Sequence, residues 1–155
     1  MPRPCAHEKD LFGLDDAPAD VIRRALVVRE PWAGMIAGGS KRWEIRGTCT
    51  AIRERIAIAS AGTGTIVGVC RLVDVRGPLD LESYAAAWRL WGARERPPGP
   101  LPYRRTYAWV LEDARPIEPP MVYRHPPGAV IWVRLDEALR ERLMAAMAQG
   151  RQEPV

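Results

Sequence analysis

Four charged side chains within six positions, Lys41, Arg42, Glu44 and Arg46, form an ordered cluster in the 155-residue chain. In an extended segment successive side chains alternate, so Arg42, Glu44 and Arg46 fall on one face and Trp43 and Ile45 on the other. Same-face neighbours stand about 6.6–6.8 Å apart at the backbone, so both guanidiniums can bracket Glu44. Lys41 is a movable point charge, whereas arginine forks match phosphate bidentately. Lys41 and Arg46 could therefore meet a phosphate or a carbonyl while Glu44 accepts from an amino group on a base. A lysine–glutamate pair also moves protons if burial brings both pKa values toward neutrality. With two arginines beside it, Glu44 is expected to stay ionised and to serve as acceptor or base. The same spacing also describes an exposed ion-pair ladder, worth no more than about 1 kcal/mol.

The flanking sequence supplies elements to hold this group. Leu26 and Val28 alternate with Val27 and Arg29, as in a half-buried strand. Pro31 suits a first helical position, where its missing amide has no partner to lose. Trp32, Met35 and Ile36 share one helical face expected to dock on the core, and Gly38 and Gly39 end that helix. From Arg42 the period switches to two. Arg29, at the end of the first strand, extends a basic rim. Trp32 or Trp109 could stack a base, a contact worth about 1–3 kcal/mol. Ser60, closing the alternating segment 55–60, is a further polar candidate.

These residues carry a resemblance. Val28-Arg-Glu-Pro-Trp32 followed by Gly39-Ser-Lys-Arg-Trp-Glu-Ile-Arg46 resembles the ASCH family signature of a strand, a Pro-Trp helix and Gly-x-Lys-x-x-Glu-x-Arg. Tyr107-Ala-Trp-Val-Leu-Glu-Asp113 with Arg115-Pro-Ile117, and Gly128-Ala-Val-Ile-Trp-Val-Arg-Leu135, resemble its last two strands. The likeness spans roughly residues 25 to 135. It implies a PUA-like barrel and an association with RNA. Some ASCH-like proteins resemble amidohydrolases of acetylated cytidine, and others are connected with RNA cleavage. The amidohydrolase branch places a threonine nucleophile three residues after the motif lysine, activated by that lysine and a glutamate. Here Glu44 occupies that position and cannot act in the same way. Glu30 stands where the family often has glutamine, and Ala59 where a histidine is common.

Composition sets wider bounds. One domain with a real core is expected at this length, and 47% hydrophobic with 27% charged residues is ordinary for a globular chain. No apolar run approaches the roughly 18 residues of a membrane span, and no leader opens the chain, so a cytoplasmic location is expected. Cys5, Cys49 and Cys70 read as reduced thiols. A net charge of +4 mildly favours polyanionic partners. The 21 arginines against 2 lysines suit a GC-rich genome, yet one of those lysines is Lys41. Cys5 and His7 supply only two metal ligands, so no metal and no cofactor is expected.

The pattern predicts a tail over residues 1–24 with a short helix at 19–24, the ASCH-like domain over 25–135, and a C-terminal helix with a frayed end over 136–155. Strands are expected at 55–60, 65–75 (with a bulge at Gly68), 106–111 and 129–134. A helix is expected over 78–91, and irregular connections over 92–105 and 116–127. Asp136 is the expected cap of the last helix, whose Leu139, Leu143 and Met147 repeat every four residues. The fold class is α+β: an antiparallel PUA-like β-barrel of five to six strands, decorated by two to three or more α-helices. The expected function is binding of RNA or a nucleotide in a cleft lined by Lys41, Glu44, Arg46 and an aromatic. The alternative is a small hydrolase, amidohydrolase or ribonuclease, using Lys41 and Glu44. A monomer is the default.

Overall fold

In the computed structural model, which describes residues 21–95 and 99–150, alternation along the strands divides the apolar side chains between two cores. The elements run β1 (Arg24–Val28), α1 (Trp32–Ala37), β2 (Trp43–Arg46), β3 (Arg55–Ser60), β4 (Thr65–Arg76), α2 (Leu81–Ala86), β5 (Tyr107–Val122), β6 (Trp132–Arg134) and α3 (Glu137–Gly150). One six-stranded sheet has the order β2-β5-β4-β3-β1-β6. Leu26, Val28, Ile56, Ile58, Leu72, Trp109 and Leu111 share one face with Ala33 and Ile36 of α1. Ala25, Ala57, Ala59, Ile66 and Val69 face the other way, against Leu139, Leu143 and Met147 of α3. Each fully buried isoleucine or leucine contributes roughly 1.5–3 kcal/mol.

The sheet curls toward the α1 face. Trp109 on β5 and Trp132 on β6 lie four places apart in the strand order, yet their rings stack at 5.8 Å. Arg46 on β2 likewise reaches β1, donating from Nη2 to the Val27 carbonyl at 2.9 Å. The result is the expected α+β architecture, a curled six-stranded half-barrel with three helices. Its pairing is mixed: β1 runs parallel to β3, because the chain crosses over through α1 and β2 between them. The other pairs are antiparallel.

Several local expectations change. Residues 22–24 are not the end of a helical tail: Ile22 is buried in the core and Arg24 opens β1. The stretch expected to be irregular beyond residue 115 continues β5 to Val122, despite Pro116, Pro119 and Pro120. Proline is tolerated there because β2 pairs only with residues 107–110, leaving this half of β5 an edge, and the register slips between Ile66 and Gly68. Helix α2 stops at Ala86, short of residue 91, because Leu90 turns its carbonyl toward the Arg42 and Trp43 amides at 2.7 and 2.9 Å. In α1 the docked residues are Ala33, Ile36 and Ala37, and Trp32 is left 45% exposed. Gly68 explains that rotation: a Cβ there would lie 2.7 Å from the Ala37 Cβ and 2.8 Å from the Arg115 carbonyl oxygen. The Asp136 cap forms as expected, its Oδ1 accepting from the Leu139 amide at 2.8 Å. Among the described residues no helix is long and apolar enough to cross a membrane. Nor do three or more His, Cys, Asp or Glu side chains gather as a metal site among them. The Cys5–His7 pair lies outside the described residues.

Candidate functional site

Helix α1 ends at Gly38, and Gly39 takes a φ of +86°, which lets the chain reverse so that the Lys41 amide returns to the Met35 carbonyl. This reversal throws the Lys41 side chain inward. The residue is 4% exposed, and its Nζ donates to the Trp91 carbonyl at 2.6 Å. Gly92, also at positive φ, leaves room for the Lys41 methylenes. Burial lowers the Lys41 pKa, Glu44 opposes that shift, and Arg46 adds to it.

Glu44 lies opposite Trp109 across the β2–β5 ladder, and Arg46 opposite Tyr107, so both point into the concave core. Glu44 is 8% exposed, and its Oε2 is buried without a hydrogen-bond partner among the described residues. The expected bracketing of Glu44 by two arginines is therefore corrected. Arg42 is exposed, and the pair to Glu44 comes from Arg46 alone, at a long 3.9 Å from Nε to Oε1. Burial pushes the Glu44 pKa up, outweighing the pull of Lys41, Arg46 and the Ile45 amide. The Arg46 guanidinium cannot come closer because it is shared. It bonds Val27 and lies 5.7 Å over the Trp109 ring.

Trp109 is itself 2% exposed, stacked on Trp132, and donates from Nε1 to the Thr48 carbonyl at 2.9 Å. Its faces are occupied by Trp132 and Arg46, so it holds Arg46 rather than offering a bare platform. The remaining candidates form a second group at the start of α1. Ser60 is buried and donates to Glu30 Oε1 at 2.8 Å, while Glu30 Oε2 accepts from the Gly34 amide at 3.2 Å. Arg29 and Trp32 stand exposed beside it. His125 is engaged by the Tyr123 hydroxyl and the Ala129 carbonyl, at 2.6 and 2.8 Å.

The structure thus brings together Lys41, Glu44, Arg46 and Trp109, and sets Arg29, Trp32 and Ser60 apart with Glu30. Lys41 and Glu44 lie close enough for each to act on the other's titration. A groove of about 740 Å³ lies elsewhere, between residues 115–122 of β5 and the end of α3. The sequence reading missed Trp132 and the Trp91 and Val27 carbonyls. Trp132 was legible as an inward position of an alternating strand, but main-chain acceptors leave no trace in residue identity.

Comparison with known proteins agrees with this architecture. No curated protein gives a significant match. Among solved structures, the ASCH protein of Zymomonas mobilis superposes with a TM-score of 0.57 at 19% identity, covering 79% of this chain and 93% of that one. Its serine-to-alanine variant gives 0.55 at 19% identity, with 83% and 98% covered. Its tyrosine-to-phenylalanine variant gives 0.52 at 19% identity, with 79% and 96% covered. At that identity the likeness speaks for the fold. A model of the ASCH domain matches residues 26–121, well over half of the sequence and all of the Lys41–Arg46 motif, and the chain belongs to the ASCH domain family.

Proposed function

We propose that the Lys41–Glu44–Arg46 group binds one nucleotide unit, free or within RNA. The observation that carries this reading is the unpartnered Oε2 of Glu44, buried between two cationic side chains. A buried carboxylate oxygen without a donor is costly, so a site that keeps one is built for a ligand that brings a donor. An amino or imino group of a base supplies it. The phosphate or a carbonyl of the same ligand then engages Arg46, whose side chain is 20% exposed and forms the mouth. Lys41 gives up the Trp91 carbonyl to reach the ligand, which requires the turn after α2 to yield.

The test is binding of nucleotides and single-stranded RNA, followed by calorimetry or anisotropy as salt is raised. Micromolar or tighter affinity that falls with salt is expected. Glu44→Gln keeps the shape but replaces one acceptor oxygen with a donor, and Lys41→Ala removes the ammonium. Both are expected to weaken binding at least tenfold. Unchanged affinity in both variants removes the assignment.

One observation favours a second reading, a hydrolase. The Lys41 pKa is lowered and that of Glu44 raised, which moves both toward the range where side chains exchange protons. Turnover of acetylated cytidine or of RNA, abolished by Lys41→Ala and by Glu44→Gln, would replace the binding reading with this one.

A further inference from the structure

The groove between the end of β5 and the end of α3 takes no part in the motif. It encloses about 740 Å³, and its floor is apolar. Ile117 and Met147 belong to the buried core, half-buried Met121 packs against that core, and Val122 is 68% exposed. Water held against such a surface is released when apolar side chains cover it. The β5 wall contains Pro116, Pro119 and Pro120, which have no amide to donate, so it suits apolar side chains better than a polar small molecule. Two cations also line the groove. Arg142 of α3 reaches across to β5, donating from Nη2 to the Val122 carbonyl at 3.0 Å, and among the described residues no acid pairs with it. Arg115 lies 3.7 Å from Asp113, and Glu118 is the single acid of the lining.

Residues 1–20 lie outside the described residues, and the chain enters the fold within reach of this groove. Ile22 is 1% exposed in the same apolar cluster as Ile117 and Met147. The Arg23 carbonyl accepts from the Leu135 amide at 2.9 Å, which places the entry two residues before α3 begins at Glu137. The groove lies at the far end of that helix, about 21 Å away for 14 residues at about 1.5 Å each. Within residues 2–20 the large apolar side chains are Leu11, Phe12 and Leu14, set between Asp10 and the pair Asp15 and Asp16. Leu14 precedes Ile22 by eight residues, and eight residues span at most about 26–29 Å, which is enough. Charge agrees with the reach. Residues 1–20 carry two basic and five acidic side chains, leaving 21 basic and 14 acidic in the rest of the chain, so −3 faces +7. That attraction favours a docked segment, and acids flanking apolar anchors suit a groove lined by two guanidiniums.

We infer that this groove is a docking surface for the chain's own residues 10–16. Leu11, Phe12 and Leu14 cover Met121, Val122 and Met147, and the flanking aspartates meet Arg115 and Arg142. The surface belongs to the α3 side of the sheet, whereas Glu44 and Arg46 point into the core on the α1 side, so it stands apart from the proposed nucleotide site.

Phe12 is the single phenylalanine of the chain, which has five methionines, so NMR reads the contact directly. The full chain is prepared with a labelled phenylalanine ring and labelled methionine methyls. Phe12 should give cross-peaks to the Met121 and Met147 methyls and none to Met35, whose helix packs on the opposite face of the sheet. Phe12→Ala should shift the Met121 and Met147 signals and leave Met35 in place. Val122→Asp sets a carboxylate on the exposed floor, facing the aspartates. It should melt with the wild type and lose the cross-peaks. Arg142→Gln should weaken docking about two- to fivefold, as loss of an exposed ion pair does, and should reduce its sensitivity to salt. Absence of cross-peaks from Phe12 to both groove methionines overturns the inference and leaves the groove to a separate partner. Cross-peaks that persist unchanged in Val122→Asp overturn it as well. Cross-peaks seen only between differently labelled molecules in a mixed sample assign the groove to a second copy and overturn the contact within one chain.

Discussion

Gly68→Ala tests the contact that sets the height of α1 above the sheet, and with it the position of Lys41. The new methyl would meet the Ala37 Cβ at 2.7 Å, the Ala37 Cα at 3.1 Å and the Arg115 carbonyl oxygen at 2.8 Å. None of these is the far end of a flexible side chain, so the helix or the β4–β5 bulge must shift. Overpacking of this kind costs about 1–3 kcal/mol, or about 2–12 °C in melting temperature for a chain of this size. Because α1 leads through Gly39 into Lys41, nucleotide affinity should fall with stability. Ala37→Gly supplies the cycle. Alone it destabilises by up to about 1 kcal/mol, as glycine does in a helix. Combined with Gly68→Ala it removes the 2.7 Å contact to the Ala37 Cβ and leaves those to the Cα of residue 37 and to the Arg115 oxygen. The double variant should therefore be more stable than the sum of the two changes predicts, by about 1 kcal/mol. Calorimetric melting of the four proteins reads this directly. A Gly68→Ala protein melting within about 1 °C of the wild type would refute the close approach of α1 to β4.

Three further outcomes follow. Glu44 holds its proton to higher pH when folded than when unfolded, so its contribution to stability is complete below the ordinary value of 4.5. It is lost as pH rises through the raised folded value. Denaturant midpoints of the wild type should fall across that window relative to Glu44→Gln, and parallel curves for the two would contradict the burial argument. Ser60→Ala removes the donor to Glu30 Oε1 and should cost about 1 kcal/mol by urea denaturation, whereas Ser60→Thr keeps the hydroxyl. The Cys70 thiol is buried, with its pKa pushed up to about 12. Native-state alkylation mapped by mass spectrometry should therefore label half-buried Cys49 and spare Cys70 until the protein unfolds.

The strands and helices that carry the motif were largely legible because alternation and glycine placement report local conformation directly. The inward–outward alternation of residues 55–60 and the bulge at Gly68 both appear in the folded chain. Legibility failed where a distant element chose the outcome. Three prolines argued against a strand beyond residue 115, yet an edge position tolerates them. Trp32 looked like a core residue by spacing, but the gap above Gly68 turned Ala33 and Ala37 inward instead.

For the site, residue identity alone determined that an ammonium, a carboxylate and a guanidinium share one short segment, with Glu44 and Arg46 on one strand face. Only the curl of the sheet decided what those charges are. By bringing Trp109 against Trp132 and closing β2 onto Val27, it took Glu44 out of water, left one oxygen without a partner among the described residues and raised its pKa. The cost of desolvating a charge depends on everything packed around it, so it is a property of the folded shape and not of spacing.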